Sequence, residues 1–240
     1  MGDKPMLFLR SSLFFIGQLI TAPVFTLIAL LAWPVHPILR NQLISGWARS
    51  MIWWLRVTCN VRHEISGMEN IPDKPCIILA KHQSTWETFA FQAIFPTQVY
   101  VLKRELLWIP IFGWGLAMTS PIAINRASGR EALKQLVSKG QARLAQGLWV
   151  VIFPEGTRMR PHQQGKYHIG GAWLACQTKT PVLPVAHNAG HCWPKGFIKR
   201  AGVIKLHIGP AIATADLKAD ALNLKVEHWI EAQMQVINAA

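Results

Sequence analysis

Between Ser11 and Trp33 the chain runs for 23 residues without one charged side chain. As a helix rising 1.5 Å per residue, this stretch is about 35 Å long, enough to cross the roughly 30 Å hydrocarbon core of a bilayer. Such a surface must be covered by lipid or by protein. Pro23 stands in its middle and predicts a kink, which leaves two placements: a helix that crosses the bilayer, or one that lies within a single leaflet. A cleaved signal peptide fits poorly, because the apolar run is longer than the usual hydrophobic region of such peptides and no A-x-A site follows it.

After the Pro34–Pro37 break, residues 38–58 mix aliphatic side chains with Trp47, Met51, Trp53 and Trp54 and with Arg40, Arg49 and Arg56. Tryptophan beside arginine suits the headgroup level of a bilayer, where the indole is amphipathic and the guanidinium meets phosphate. The segment is therefore expected to be an interfacial helix, with an amphipathic helix packed on the remaining domain as the alternative. Residues 1–58 are expected to form a two-helix membrane anchor, and 59–240 a single folded domain.

From residue 60 onward, short apolar runs alternate with helical stretches, which is the pattern of an α/β layer structure. Strands are expected at 76–80, 98–102, 121–124, 148–153, 181–186 and 203–208. Helices are clearest at 128–146, where Leu133, Leu136, Val137 and Leu144 share a face, and at 215–238. The expected architecture is α/β, a mixed and largely parallel sheet flanked by helices and preceded by the two anchoring helices.

The chain is 51% hydrophobic and only 15% charged, with a formal net charge of +13. Charged residues make up roughly a quarter of ordinary soluble proteins, so membrane contact is the simplest account of the composition. An excess of positive charge attracts an anionic partner, and nucleic acid and anionic lipid both qualify. No C2H2 spacing, aromatic RNP signature or basic helical arm is present, and the cations are interspersed with hydrophobic segments, so anionic membrane lipid is expected and nucleic acid is not. Cys59, Cys76, Cys176 and Cys192 form neither a CxxC pair nor a disulfide framework and read as free thiols in a reducing compartment. His187 and His191 are spaced as metal ligands would be on a helix, but the preceding 181–186 run reads as a strand, so no metal site is expected.

The polar residues that need explaining follow the ends of the predicted strands. His82 follows the first, Lys103 and Arg104 the second, Arg126 the third, and Glu155 and Arg158 the fourth. In open α/β sheets the crevice at the carboxyl ends of the strands is where ligands bind. If these strands are parallel, a base, carboxylates and several cations converge there, a site for an anionic substrate with a proton to remove. Within Lys81-His82-Gln83-Ser84-Thr85-Trp86-Glu87, the carboxylate of Glu87 is near enough to orient the imidazole as a general base. Ser84-x-x-Glu87 is also a capping box, in which Glu87 serves only a backbone donor. The turn Phe153-Pro154-Glu155-Gly156-Thr157-Arg158 brings a guanidinium to the sheet edge, suited to phosphate, or else holds an internal Glu155–Arg158 pair of small energetic weight. The cations Lys103, Arg104, Arg126, Arg158 and Arg160 outnumber the acids near them, so some should face a bound anion.

KHQSTWE at 81–87, INR at 124–126, FPEGTR at 153–158 and VLPVA at 182–186 resemble, in order, the four sequence blocks of the 1-acylglycerol-3-phosphate acyltransferase family. The resemblance implies that His82 removes the proton of a glycerol 2-hydroxyl, which attacks an acyl thioester directly with no acyl-enzyme, and that Glu87 occupies the family's usual Asp position. It implies acceptor binding by Arg126, Glu155, Gly156, Thr157 and Arg158, to which the cation Lys103 is added, and a donor-related or structural role for Pro184. The implied substrates are lysophosphatidic acid with acyl-CoA or acyl carrier protein, no cofactor is implied, and the product is phosphatidic acid. No GxSxG elbow, Walker A or GxGxxG sequence argues for a hydrolase or a nucleotide-binding enzyme; a lipid-binding protein without activity is the contrasting class. The expected location is the cytoplasmic face of the inner membrane, where thioester donors are made. The half-immersed helix is preferred, because a site that opens toward lipid needs an anchor and not a crossing.

Overall fold

A computed structural model describes residues 3–239, apart from the side chains of Asp3 and Arg126. Seven strands form the sheet: β1 (Val61–Ser66), β2 (Ile77–Ala80), β3 (Gln98–Lys103), β4 (Ile122–Ile124), β5 (Trp149–Ile152), β6 (Val182–His187) and β7 (Gly202–Ile208). Their order is β1-β7-β6-β2-β5-β3-β4. Every pairing is parallel except that of β6 with β7, so the sheet is mixed and mostly parallel, as expected. The central strands are buried along their whole length, which is why they read in the sequence as unbroken apolar runs. Strand β1 was not foreseen. It is an edge strand with Val61 buried and its next three residues exposed, so it lacks that signal.

Eight α-helices accompany the strands among the described residues: α1 (Asp3–Leu31), α2 (Pro37–Cys59), α3 (Trp86–Ile94), α4 (Phe112–Met118), α5 (Arg130–Ala145), α6 (Gly170–Thr178), α7 (Ala189–Cys192) and α8 (Ala219–Ala239). Side chains alternate between the two faces of the sheet. Ile77, Leu79, Val150 and Ile152 pack with residues of α5, α6 and α8, whereas Ile78, Ala80 and Val151 pack with residues of α1, α2 and α3. Helix α8 buries Ala219, Leu222, Val226, Ile230, Met234 and Ile237, a spacing of three or four that places all six on one stripe.

Helix α1 is continuous through Pro23 and is the one described helix long and apolar enough to cross a membrane. One stripe of it, including Ser11, Phe14, Thr26 and Ala29, is buried on the rest of the chain, while Leu19, Ile20, Val24 and Leu31 among others are exposed. Helix α2 is packed on the domain along one face, the alternative read from the sequence, while Arg49, Trp53 and Arg56 stay exposed. Met51 and Leu55 belong to the core. The Trp47 indole donates to Thr21 Oγ1 at 2.9 Å, and that of Trp54 donates to Leu13 O at 3.2 Å. Trp54 sits where α1 offers Gly17, and a Cβ there would collide with the indole nitrogen. Of the four expected anchors, Trp53 alone is strongly exposed.

Arg40 is also turned inward. It is buried, donating to Trp33 O at 3.0 Å, Met118 O at 2.7 Å and Ser120 Oγ at 2.9 Å. One guanidinium thereby ties the end of α1 to the end of α4. Two backbone carbonyls and a hydroxyl take the place expected for lipid phosphate, satisfying the same donors without a bound anion.

Burial lowers the pKa of His187, and nearby Glu87 raises it by less; burial followed by Arg56 lowers that of His63. A histidine whose folded pKa is depressed binds fewer protons folded than unfolded, so stability falls as pH drops below the unfolded value of about 6.5. The expected outcome is a lower thermal midpoint at pH 5.5 than at pH 7.5, with a shallower pH slope in His187→Gln. A midpoint independent of pH across that interval would contradict it.

Candidate functional site

The path of the chain through the sheet reverses around β2 and β5. From β2 it proceeds outward to β3 and β4, then returns to β5 and passes over β2 to β6. The loops after β2 and β5 therefore leave neighbouring strand ends in different directions, which opens a crevice there. His82 lies on the first loop and Phe153–Arg158 on the second.

The His82 ring is fixed by three contacts. Its Nδ1 donates to Glu87 Oε1 at 2.7 Å. Its face stacks on Phe153, with centroids 4.2 Å apart and planes 14° from parallel. Its backbone is clamped as well, the N–H donating to Glu155 Oε2 at 2.9 Å and the carbonyl accepting from Met159 N at 2.7 Å. With Nδ1 committed to a carboxylate, the neutral tautomer leaves the Nε2 lone pair for a substrate.

Glu87 Oε1 also accepts the backbone N–H groups of Gln83 at 3.1 Å and Ser84 at 2.9 Å. Orientation of the base and capping of α3 thus fall to one oxygen. Burial pushes the Glu87 pKa up, but His187, His82 and the Ser84 N–H outweigh it and hold the carboxyl below its usual range. The other half of a capping box is absent: Ser84 Oγ donates to Trp193 O at 2.7 Å and accepts from Trp86 N at 3.0 Å.

Glu155 was expected to touch substrate and to pair, if at all, with Arg158. It lies instead beneath the crevice, 3% exposed. While Oε2 holds the His82 N–H, Oε1 accepts from Lys81 Nζ at 2.7 Å and Gly165 N at 3.2 Å. Lys81 is buried as deeply, and its Nζ also donates to Glu231 Oε1 at 2.8 Å and Gln163 O at 3.2 Å. Tyr167 OH donates to the same Glu231 oxygen at 2.8 Å, its pKa raised by burial and by the adjacent carboxylates. This buried network was missed in the sequence. Its one local signal is a lysine directly after four buried apolar residues, a position that demands an ionic partner.

Of the remaining expected residues, Lys103, Gly156, Thr157 and Arg158 line one cavity together with His82. Gly156 is in the left-handed region at φ 68°, which turns the chain back toward the crevice. Arg158 Nη1 donates to Thr85 Oγ1 at 2.8 Å. Arg126 opens the 3-10 turn Arg126–Ser128 after β4; its side chain is outside the described residues. Pro184 lies within β6, its carbonyl accepting from Gly209 N at 2.9 Å. His187 Nε2 hydrogen-bonds Lys81 O at 2.8 Å, so this nitrogen serves the backbone beside His82.

The cavity is about 470 Å³, within the range of small-molecule sites. His82, Lys103 and Arg158 are among its lining residues, while Phe25 and Ala29 of α1, Trp47 of α2, Phe89 of α3 and Leu116 of α4 make apolar walls. An aliphatic chain fits those walls, and the two cations on the lining suit an anionic head. The arrangement suits removal of a proton from an alcohol on an anionic lipid.

The acyltransferase family model matches residues 62–188, more than half of the chain. A 1-acyl-sn-glycerol-3-phosphate acyltransferase of Pseudomonas aeruginosa is 44% identical over 236 residues, spanning 96% of this chain and 92% of that protein. One from Saccharomyces cerevisiae is 30% identical over 197 residues, 76% of this chain and 62% of that protein. The crystal structure of the 1-acyl-sn-glycerophosphate acyltransferase from Thermotoga maritima shares the fold with a TM-score of 0.81 at 22% identity, covering 97% of this chain and 96% of that one. The chain belongs to the 1-acyl-sn-glycerol-3-phosphate acyltransferase family.

Proposed function

We propose that this chain transfers a fatty acyl group from acyl-CoA or acyl carrier protein to the 2-hydroxyl of 1-acyl-sn-glycerol 3-phosphate, forming phosphatidic acid. The observation that carries the reading is the 2.7 Å His82–Glu87 hydrogen bond on a histidine that lines a largely apolar cavity. His82 Nε2 takes the proton of the 2-hydroxyl as its oxygen attacks the thioester carbonyl. The tetrahedral intermediate then collapses, the C–S bond breaks, and the imidazolium returns the proton to the leaving sulfur. Glu87 stabilises the imidazolium and keeps Nε2 aimed at the substrate.

Transfer without an acyl-enzyme is supported by what surrounds the base. The Ser84 hydroxyl donates to Trp193 O, and the Thr88 hydroxyl donates to Thr85 O at 2.7 Å. No cysteine is among the residues lining the cavity. Arg158 and Lys103, with Arg126, bind the phosphate of the acceptor. Glu155 contributes by holding the His82 backbone, and Lys81 by holding Glu155.

Residues 1–58 keep the site against the cytoplasmic face of the membrane. Lys199 N donates to Ser11 Oγ at 2.9 Å near one end of α1, and Thr26 Oγ1 donates to Ile111 O at 3.3 Å near the other. Those two attachment points are 15 residues apart, or about 22 Å along the helix. A helix bound to one domain over that length favours lying in one leaflet, since crossing would carry the domain into the bilayer.

His82→Ala is expected to lower kcat by about 10² to 10⁴ while leaving the acceptor KM nearly unchanged; near-normal turnover would exclude a general base there. Glu87→Gln keeps the shape of the side chain but removes its charge, and should depress kcat without raising either KM. Arg158→Ala removes a charge-assisted bond to phosphate worth about 1.5 to 3 kcal/mol, so steady-state kinetics should show acceptor KM rising by about 10- to 150-fold. A change confined to the donor KM would assign Arg158 to the other substrate.

A further inference from the structure

The 3-10 helix Arg104–Trp108 and helix α4 follow β3 as one segment with two different faces. Leu106, Phe112, Gly115, Leu116 and Thr119 line the cavity, Leu106 and Phe112 being also 38% and 45% exposed. On the outer side Trp108 is 64%, Ile109 44%, Ile111 42% and Trp114 52% exposed. Exposed apolar surface of this density marks a lipid or protein contact.

Two observations identify lipid as what covers it. The segment packs on α1 through Thr26, which donates to Ile111 O, and Arg40 joins the two ends, so the exposed apolar side chains of both belong to neighbouring elements. The polar residues at its margin also suit a bilayer: Lys103 and Arg104 are exposed at the start of the segment, and the Arg104 guanidinium lies over the Trp108 ring at 5.6 Å. Tryptophan with arginine at the edge of an apolar surface is the arrangement of the headgroup level. Beyond Glu105 no charge occurs before residue 126, which leaves nothing for an acidic protein to recognise.

Ile111 has an unusual backbone, with φ 65° and ψ −63°, and Phe112 N donates to Pro110 O at 2.7 Å across it. A three-residue turn of this hand at a β-branched residue is strained. It turns the chain back so that Ile109 and Ile111 lie outside while Phe112 reaches the cavity.

We propose that residues 104–118 are a second membrane-inserted element, forming with α1 the wall between the cavity and the bilayer hydrocarbon. The acyl chain of a membrane-borne acceptor then reaches the cavity without leaving the bilayer. This rests on the reading of the site as a lysophosphatidate acyltransferase.

The test uses the full chain with Cys176→Ser, the other three cysteines being buried. An environment-sensitive fluorophore is placed at Ile109→Cys, Leu13→Cys on α1, or Leu224→Cys on α8, and each protein is bound to phosphatidylethanolamine–phosphatidylglycerol vesicles. Emission at position 109 should shift to the blue and be quenched by mid-chain spin-labelled lipid as strongly as at position 13, with position 224 unaffected. Water-like emission at 109 while 13 is quenched would overturn the proposal. So would a blue shift at 109 already present without vesicles, which would mean a protein partner. Ile109→Lys and Trp114→Lys should raise KM for vesicle-borne acceptor by about tenfold or more and leave turnover of a monomeric short-chain acceptor within about twofold. Equal loss on both acceptors would also count against it. A chain that acylates no lysophosphatidate in any form would refute the proposed function instead, and the depth measurement would stand unaffected.

Discussion

Glu155 holds the His82 N–H with one carboxylate oxygen and the buried ammonium of Lys81 with the other, and the accuracy of the site depends on this pair. A catalytic base gains from its environment only if it is held within a few tenths of an ångström of the productive position. Stacking and a side-chain hydrogen bond fix the imidazole plane, but they leave the backbone free to shift. Glu155 removes that freedom. Lys81 in turn is held by Glu231 of the last helix, so the end of the chain helps to position a residue near its first third. Removing Lys81 would leave two carboxylates facing each other without a counter-ion, which is far costlier than losing one surface pair.

A second constraint is the substrate's insolubility. Each CH₂ drawn from lipid into water costs about 0.8 kcal/mol, so a long-chain acceptor will not pass through bulk water to a distant pocket. With the membrane placement proposed above, the fold meets this by building the cavity from lipid-facing elements: α1 and α4 carry apolar residues both toward the cavity and away from the protein. Helices α1 and α2 are also packed into the α/β domain. Phe14 of α1 and Met51 and Leu55 of α2 share a core with Ile78 and Val151 of the sheet.

The central strands were legible in the sequence because burial on both faces makes them continuous apolar runs, and His82, Lys103 and Arg158 could be placed from them by strand-end geometry alone. What was not legible depends on distance or on chemistry that two environments share. Lys81 and Glu231 are 150 residues apart, with nothing local to connect them. Trp47 and Trp54 satisfy their indole N–H on α1, but a lipid headgroup region would select the same residue type. Glu155 was expected among the substrate ligands because it stands in the FPEGTR block that resembles the family's; its side chain turns under the sheet edge instead. For Glu87 the two alternatives read from the sequence, orienting the base and capping a helix, both hold, because Oε1 can accept from three donors at once.

The charges around His82 are arranged in opposite senses on its two sides. On one side lie Glu87 and, deeper, two carboxylates around the single ammonium of Lys81; Arg158 and Lys103 line the cavity that His82 also lines. In the proposed reaction, as the hydroxyl proton moves to Nε2, positive charge develops on the imidazole and negative charge on the attacking oxygen and then on the thioester carbonyl. The carboxylate side favours the first and the cationic side favours the second, so both act on charge that exists mainly in the transition state. The separation matters as much as the signs. Were Arg158 to pair with Glu155, the internal ion pair considered from the sequence, the cation would be neutralised before a phosphate arrived. Lys81 prevents this by occupying Glu155 from beneath, and Arg158 is left to a neutral hydroxyl, Thr85 Oγ1. A neutral acceptor is a weaker partner than a phosphate oxygen, and the guanidinium can therefore exchange one for the other when the substrate binds.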